Sequence, residues 1–128
     1  MSRLPLAFFT AAVIAGLAGM AWGLRMGATN DFAMAPAHAH LNLLGWVTLS
    51  LQGGFYALAG RRAPTRLGWI NLVVSVIGLV VLIPFLARLL GGDKGAEPVV
   101  IAGSMISFVG MLVFAAAVLS LWAKPQAA

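Results

Sequence analysis

Four long apolar runs follow one another along this chain, at about residues 4–24, 37–59, 67–90 and 99–122. Each supplies about the twenty residues that an α-helix needs to cross the hydrocarbon of a bilayer. A backbone passing through lipid must satisfy its own N–H and C=O groups, and a helix does so within one segment. The chain is therefore read as all-α: a single transmembrane domain over residues 1–128, folded as an integral membrane four-helix bundle. Composition leads the same way, because 62% hydrophobic residues, 9% charged residues and a mean hydropathy of +1.00 are too apolar for one water-soluble core of this length. The bilayer is the first partner that the sequence implies.

The first run follows Arg3, and small residues alternate near positions 33–39. It exceeds the apolar stretch of about 7–15 residues found in a signal peptide, so it is read as a span. Pro36 marks the start of the second span, since proline is tolerated in the first turn of a helix. Arg61, Arg62, Pro64 and Arg66 form a short basic turn, Pro84 is expected to kink the third span, and Asp93, Lys94 and Glu97 charge the last loop.

The formal charge of +5 does not point to nucleic acid, because the basic residues sit in short loops between apolar runs. They bear on orientation instead. In a four-span chain Arg3, Arg61, Arg62, Arg66 and Lys124 share one side, while Arg25, Arg88 and Lys94 share the other with Asp31, Asp93 and Glu97. The positive-inside rule then puts both termini in the cytoplasm of a multi-pass protein of a bacterial-type inner (plasma) membrane. Cysteine is absent, which excludes disulfides, thiolate metal sites and covalent c-type heme.

The chain has two histidines, His38 and His40, both in the stretch Ala35-Pro-Ala-His-Ala-His-Leu-Asn-Leu-Leu-Gly-Trp46. On a helix, residues two apart are turned by about 200°, so the two imidazoles face nearly opposite ways and do not share one ion. A one-helix metal clip would want a spacing of three or four. Each imidazole is expected to have its own partner, either a cofactor or, more plainly, water or a neighbouring helix. Asn42, four residues after His38, is placed to orient it or to pack between helices. Trp46 lies deeper than an interfacial belt and is a candidate pocket wall. Arg25 and Arg88 fall at the outer ends of their spans, where they either pair with acidic groups of a cofactor or snorkel to headgroups. Gly45, Gly53 and Gly54 permit close approach of a helix or a flat macrocycle, and Thr48, Ser50, Gln52 and Tyr56 make the lower second span polar. Met20, Met26 and Met34 are either packing residues or soft metal ligands.

The run from Ala37 to Trp46, continuing to Gly53-Gly54-Phe55-Tyr56, resembles the histidine-bearing helices of the heme-copper oxidase and nitric oxide reductase catalytic subunit. The His-x-His pair, with a glycine five residues on and Phe-Tyr beyond, is similar to that family's tenth helix, whose first histidine ligates a high-spin heme and whose second ligates a low-spin heme. His40-Leu-Asn42 with the later Phe-Tyr also resembles the second helix of the reductase branch. The family builds twelve helices as three arcs of four, with ligands largely on the second helix of each arc. The resemblance therefore implies a homotrimer of this four-helix unit, with non-covalent heme b between neighbouring second spans. His38 of one subunit and His40 of the next would be axial ligands, with Asn42, Trp46, Arg25 and Arg88 around the cofactor. Two axial imidazoles suit electron transfer, whereas one leaves a position for oxygen or nitric oxide. The chain departs from the family in having no adjacent histidine pair and no histidine elsewhere, so oxygen reduction at a usual heme-copper centre is not expected. Two alternatives come from other classes. One is a copper-handling protein using His38, His40, Met26 and Met34, and the other is a structural membrane subunit without a cofactor.

Overall fold

The computed structural model describes residues 2–122, and Lys124 of the orientation count lies outside the described residues. All regular structure among them is helical. Helix α1 runs Arg3–Thr29, carries Pro5 in its first turn, and ends at Asn30 in the left-handed conformation that closes many helices. The second span begins as α2, Ala35–His40, passes into a π-helix, Leu41–Thr48, and finishes as α3, Leu49–Ala59. Gly60, at φ 54°, ends it in a conformation that a side chain would disfavour. Helix α4 (Thr65–Leu90) and helix α5 (Glu97–Trp122) complete the chain.

Three helices, beginning at Arg3, Thr65 and Lys94, are each long and apolar enough to cross a membrane. The second span reaches that length only as a composite of 25 residues over 35–59, because π-winding interrupts it. The sequence expectation of four uniform α-helical spans is corrected there. Residues Leu41–Thr48 carry no proline, and Gly45 is their one weak helix former. Pro84, where the sequence leads one to expect a kink, lies inside α4, which runs as one helix from Thr65 to Leu90. The observed helices also extend the expected spans by a few residues at their ends.

The spans pack as two close pairs, and small residues hold each together, as expected where lipid removes the hydrophobic drive between helices. In the α4–α5 pair, a Cβ on Gly78 would lie 2.5 Å from Ser107 Oγ, and one on Gly103 would meet the Leu82 backbone at 2.8 Å. A Cβ on Gly110 would lie 2.7 Å from Ser75 Oγ. The α1–second-span pair uses Gly16, Gly19 and Gly23 of α1, whose hypothetical Cβ atoms would run into Trp46, Asn42 and His38.

The two pairs join most firmly at the end that holds the 60–64 turn. Leu4, Phe8, Leu49, Tyr56, Leu72 and Ala117 are buried together there. Phe8 stacks on Tyr56 at 5.3 Å between ring centroids, and Phe55 meets Phe114 edge-on at 5.2 Å. Asn71, with 0% exposure, donates from Nδ2 to Tyr56 Oη at 3.3 Å and accepts at Oδ1 from Ser75 Oγ at 3.1 Å. This polar bridge ties the second span to α4 in the interior, where an unpaired amide would be costly. Toward the histidine end a smaller cluster, Ala15, Leu79 and Ile83, fills the centre, and the second span stands apart from α5.

Candidate functional site

The π-helix decides how the second span presents its side chains. In an α-helix residues four apart drift by about 40° around the axis. Wider π-turns, bonded i to i+5, offset that drift. As a result two stripes hold their line: His38, Asn42 and Trp46 face α1, and His40, Leu44, Thr48 and Gln52 face the α4–α5 pair. Thr48 follows the wider winding, donating from Oγ1 to the carbonyl of Leu43, five residues back, at 2.7 Å. Gly45 is buried at the turn between the stripes, where an added Cβ would lie 2.6 Å from Ala15 Cβ and 3.1 Å from a Leu79 methyl.

His38 is half-buried against α1. A Cβ on Gly23 would sit 2.9 Å from its Cε1. The Asn42 amide fixes its hydrogen: Nδ2 lies 3.0 Å from the His38 carbonyl oxygen, which only accepts, so the amide nitrogen must face His38. The same Nδ2 lies 3.3 Å from His38 Nδ1 and donates to it. In this arrangement the ring's lone pair is engaged by Asn42 and Nε2 carries the hydrogen.

His40 is exposed and has the opposite polarity. Its Nδ1 lies 2.7 Å from the Pro36 carbonyl oxygen and must donate to it. That bond fixes the ring and leaves the Nε2 lone pair outward, as in histidines that ligate metals through one nitrogen while a carbonyl holds the other. Pro36 sits in the first turn, so it loses no intrahelical hydrogen bond there, and its carbonyl lies one turn before His40.

His40 opens onto a groove of about 330 Å³ between the second span and the α4–α5 pair. Leu44, Leu82, Phe108 and Met111 supply its apolar walls. Thr48, Gln52, Ser75, Ser104 and Ser107 supply its polar points. Gln52 is 2% exposed, and neither its Oε1 nor its Nε2 finds a protein partner.

Arg25 and Arg88 lie elsewhere. They line one cavity of about 480 Å³ with Trp22, Met26, Asp31 and Met34, at the end of the bundle where α1 and α4 finish. Arg88 is held there by Asp93, with Nη2 at 2.6 Å and Nε at 3.0 Å from the same carboxylate oxygen, and its guanidinium lies 5.1 Å from the Phe85 ring centroid. The structure thus brings Arg25, Arg88, Met26 and Met34 together, and His38 with Asn42. It does not bring His40 into the arginine cavity. Among the described residues no group of three or more His, Asp and Glu converges on one point.

Three features escaped the sequence reading: the α1 glycines that receive His38, Asn42 and Trp46, the serines of α4 and α5 that face His40, and the bridging Asn71. The spacing Gly16-x-x-Gly19-x-x-x-Gly23 is a legible small-residue stripe. Ser104-x-x-Ser107 puts two hydroxyls near one face of α5 in the same way.

No protein-family model, no curated protein and no solved structure matches this chain. The resemblance of the second span to oxidase helices therefore rests on the residues of that span.

Tested against non-covalent heme, the chain offers one prepared axial ligand, His40 Nε2, with apolar side chains beside it. Tested against copper, Met26 and Met34 share their cavity with Arg25, Arg88 and Asp31, and neither histidine is among its lining residues.

Proposed function

We propose that the chain is an integral membrane protein that binds b-type heme, with His40 as an axial ligand, for electron transfer or for binding a diatomic gas. The observation that carries this reading is the 2.7 Å bond from His40 Nδ1 to the Pro36 carbonyl, which holds an exposed Nε2 lone pair outward at the edge of the bundle. Heme supplies a reversible one-electron centre and, where one axial position is open, a site for oxygen or nitric oxide. His40 binds and orients. Asn42 holds His38 against α1, so His38 becomes a second ligand only if that amide contact is released. Arg25 and Arg88, sharing a cavity at the outer end, suit the carboxylates of a cofactor or the headgroups of lipid.

In this reading copies of the chain complete one another's sites, and a trimer restores the twelve-helix arrangement of the family that the second span resembles. Both termini lie in the cytoplasm of a bacterial-type inner membrane, following the basic-residue count. The geometry gives copper handling less support, because the methionines and His40 open onto different cavities.

The test is a reduced-minus-oxidised optical spectrum of heme-supplied, detergent-purified protein. The Soret band of a b-type heme is expected, lost in His40→Ala and kept in His38→Ala, and a sharp α-band accompanies it where two axial ligands are present. Absence of the Soret band from the heme-supplied parent protein overturns the reading, and a heme-free monomer by native mass analysis overturns the shared site.

A further inference from the structure

The groove beside His40 is built for something beyond the coordination of one ligand. It runs from His40 down to Gln52, twelve residues along the second span, which is about 18 Å at about 1.5 Å per residue. Its 330 Å³ has room for on the order of ten waters at about 30 Å³ each.

The polarity of the lining follows from where each hydroxyl hydrogen goes. Thr48 Oγ1 donates to the Leu43 carbonyl at 2.7 Å and Ser104 Oγ to the Val100 carbonyl at 2.9 Å. Ser107 Oγ donates to the Gly103 carbonyl at 2.9 Å, and Ser75 Oγ to Asn71 Oδ1 at 3.1 Å. Every one of these hydrogens turns back into its own helix, so what remains for the groove is oxygen lone pairs. His40 adds a nitrogen lone pair, because its hydrogen is held by Pro36. The single donor group is the Gln52 amide, whose NH₂ and Oε1 are both buried at the floor without protein partners. A primary amide buried without partners is costly, and polar side chains at membrane depth characteristically line water or the bundle interior. No carboxylate or other charged side chain lines the groove.

We infer that this groove is a water-filled half-channel, open at the His40 end and closed at Gln52, that admits water and small hydrogen-bond-donating cations such as hydronium or ammonium to the middle of the membrane. The acceptor atoms set among its apolar walls stabilise donors and disfavour anions. The α4–α5 pair, locked by Gly78, Gly103 and Gly110, forms one rigid wall, and the π-helix keeps Thr48 and Gln52 aligned beneath His40 on the other. The inference stands on the groove alone and does not require heme at His40.

The chain has no cysteine, so single cysteines report accessibility without background. Thr48→Cys, Ser104→Cys and Met111→Cys sample the groove, Ile14→Cys samples the lipid face of α1, and Ala33→Cys and Thr65→Cys mark the two membrane sides. Sealed proteoliposomes are exposed to silver ion, a cation of about the width of water, and the unreacted thiol is counted after denaturation. Silver added on the Ala33 side is expected to block the three groove cysteines at rates within about tenfold of Ala33→Cys, and to spare Ile14→Cys. Adding Gln52→Leu is expected to slow the Met111→Cys reaction about tenfold by drying the floor. Groove cysteines that react with a lipid-soluble maleimide but resist silver overturn the inference, because lipid or another helix then fills the space. Entry from the Thr65 side overturns the proposed opening, and an unchanged rate in the Gln52→Leu background overturns the role of the amide. Labelling is read without reference to the heme spectrum, so failure of one claim is distinguishable from failure of the other.

Discussion

On one face of the second span His38, Asn42 and Trp46 lie against the glycines of α1, while on the other His40, Leu44, Thr48 and Gln52 look across a groove toward α4 and α5. Each face begins with a histidine, and the two histidines stand two residues apart. What separates them is the neighbouring surface. Gly16, Gly19 and Gly23 let α1 approach until the imidazole and amide fill the space between backbones, so that face is closed and its hydrogen bonds are internal. No glycine stripe faces the other side, and the α4–α5 pair is already locked on itself by Gly78, Gly103 and Gly110. That face therefore stays open, and its polar atoms must look for partners outside the chain. A polar residue in a membrane helix is structural or functional according to whether the facing helix can come close enough to satisfy it.

The largest effect should come from breaking the closed face at its tightest point. Gly19→Leu puts a side chain where Asn42 atoms lie 2.6 Å from a hypothetical Cβ, and overpacking of this kind costs roughly 1–3 kcal/mol or more. Denaturation of the purified protein by titration with a denaturing detergent should show the loss, and a Gly19→Leu protein as stable as its parent would mean that α1 does not dock there. Next in size is Asn71→Leu, which removes the buried bridge between Tyr56 and Ser75 and leaves their oxygens unpaired. A cost of about 2 kcal/mol is expected in the same titration.

The paired histidine variants then sharpen the contrast directly. His38→Ala should cost about 1 kcal/mol, since it opens space at Gly23 and removes one of the two acceptors of the Asn42 amide, yet it should leave heme binding in place. His40→Ala should change stability by less than about 0.5 kcal/mol, because an exposed ring is lost, and should abolish the heme Soret band. The reverse pattern, with His38→Ala losing heme and His40→Ala losing stability, would exchange the roles of the two faces. The smallest effect belongs to the outer loop. Asp93→Asn weakens an exposed ion pair with Arg88, whose side chains are 59% and 41% exposed, and should cost no more than about 0.5 kcal/mol. A larger loss would show that the 91–96 turn depends on that carboxylate.

Much of the fold was legible because bilayer thickness and helical rise translate directly into run lengths. The apolar runs mark the three longest helices, and Asn30, Gly60 and Gly91 stand where those helices and the second span end. The i, i+4 relation of His38 and Asn42 was legible for the same reason, since it depends only on local winding. Two things were not. The π-helix at Leu41–Thr48 was hidden, because its one local mark, Gly45, reads equally as a packing glycine, and the Ala15 and Leu79 side chains it meets come from two other helices. The separation of the arginine cavity from His40 was also hidden, since both were assigned to one outer end without knowing which helices stood between them.

The sequence alone determined that this chain is helical, that its helices are long enough for a membrane, and that its two imidazoles point apart. Each of these follows from the geometry of a single helix and from the need of a backbone in lipid to bond to itself. Only the tertiary structure decided which imidazole is covered and which is free, and that Gln52 is buried beside an open groove without a partner. Those outcomes depend on how closely facing helices approach, and the distance of approach is set by pairs of residues far apart in the chain.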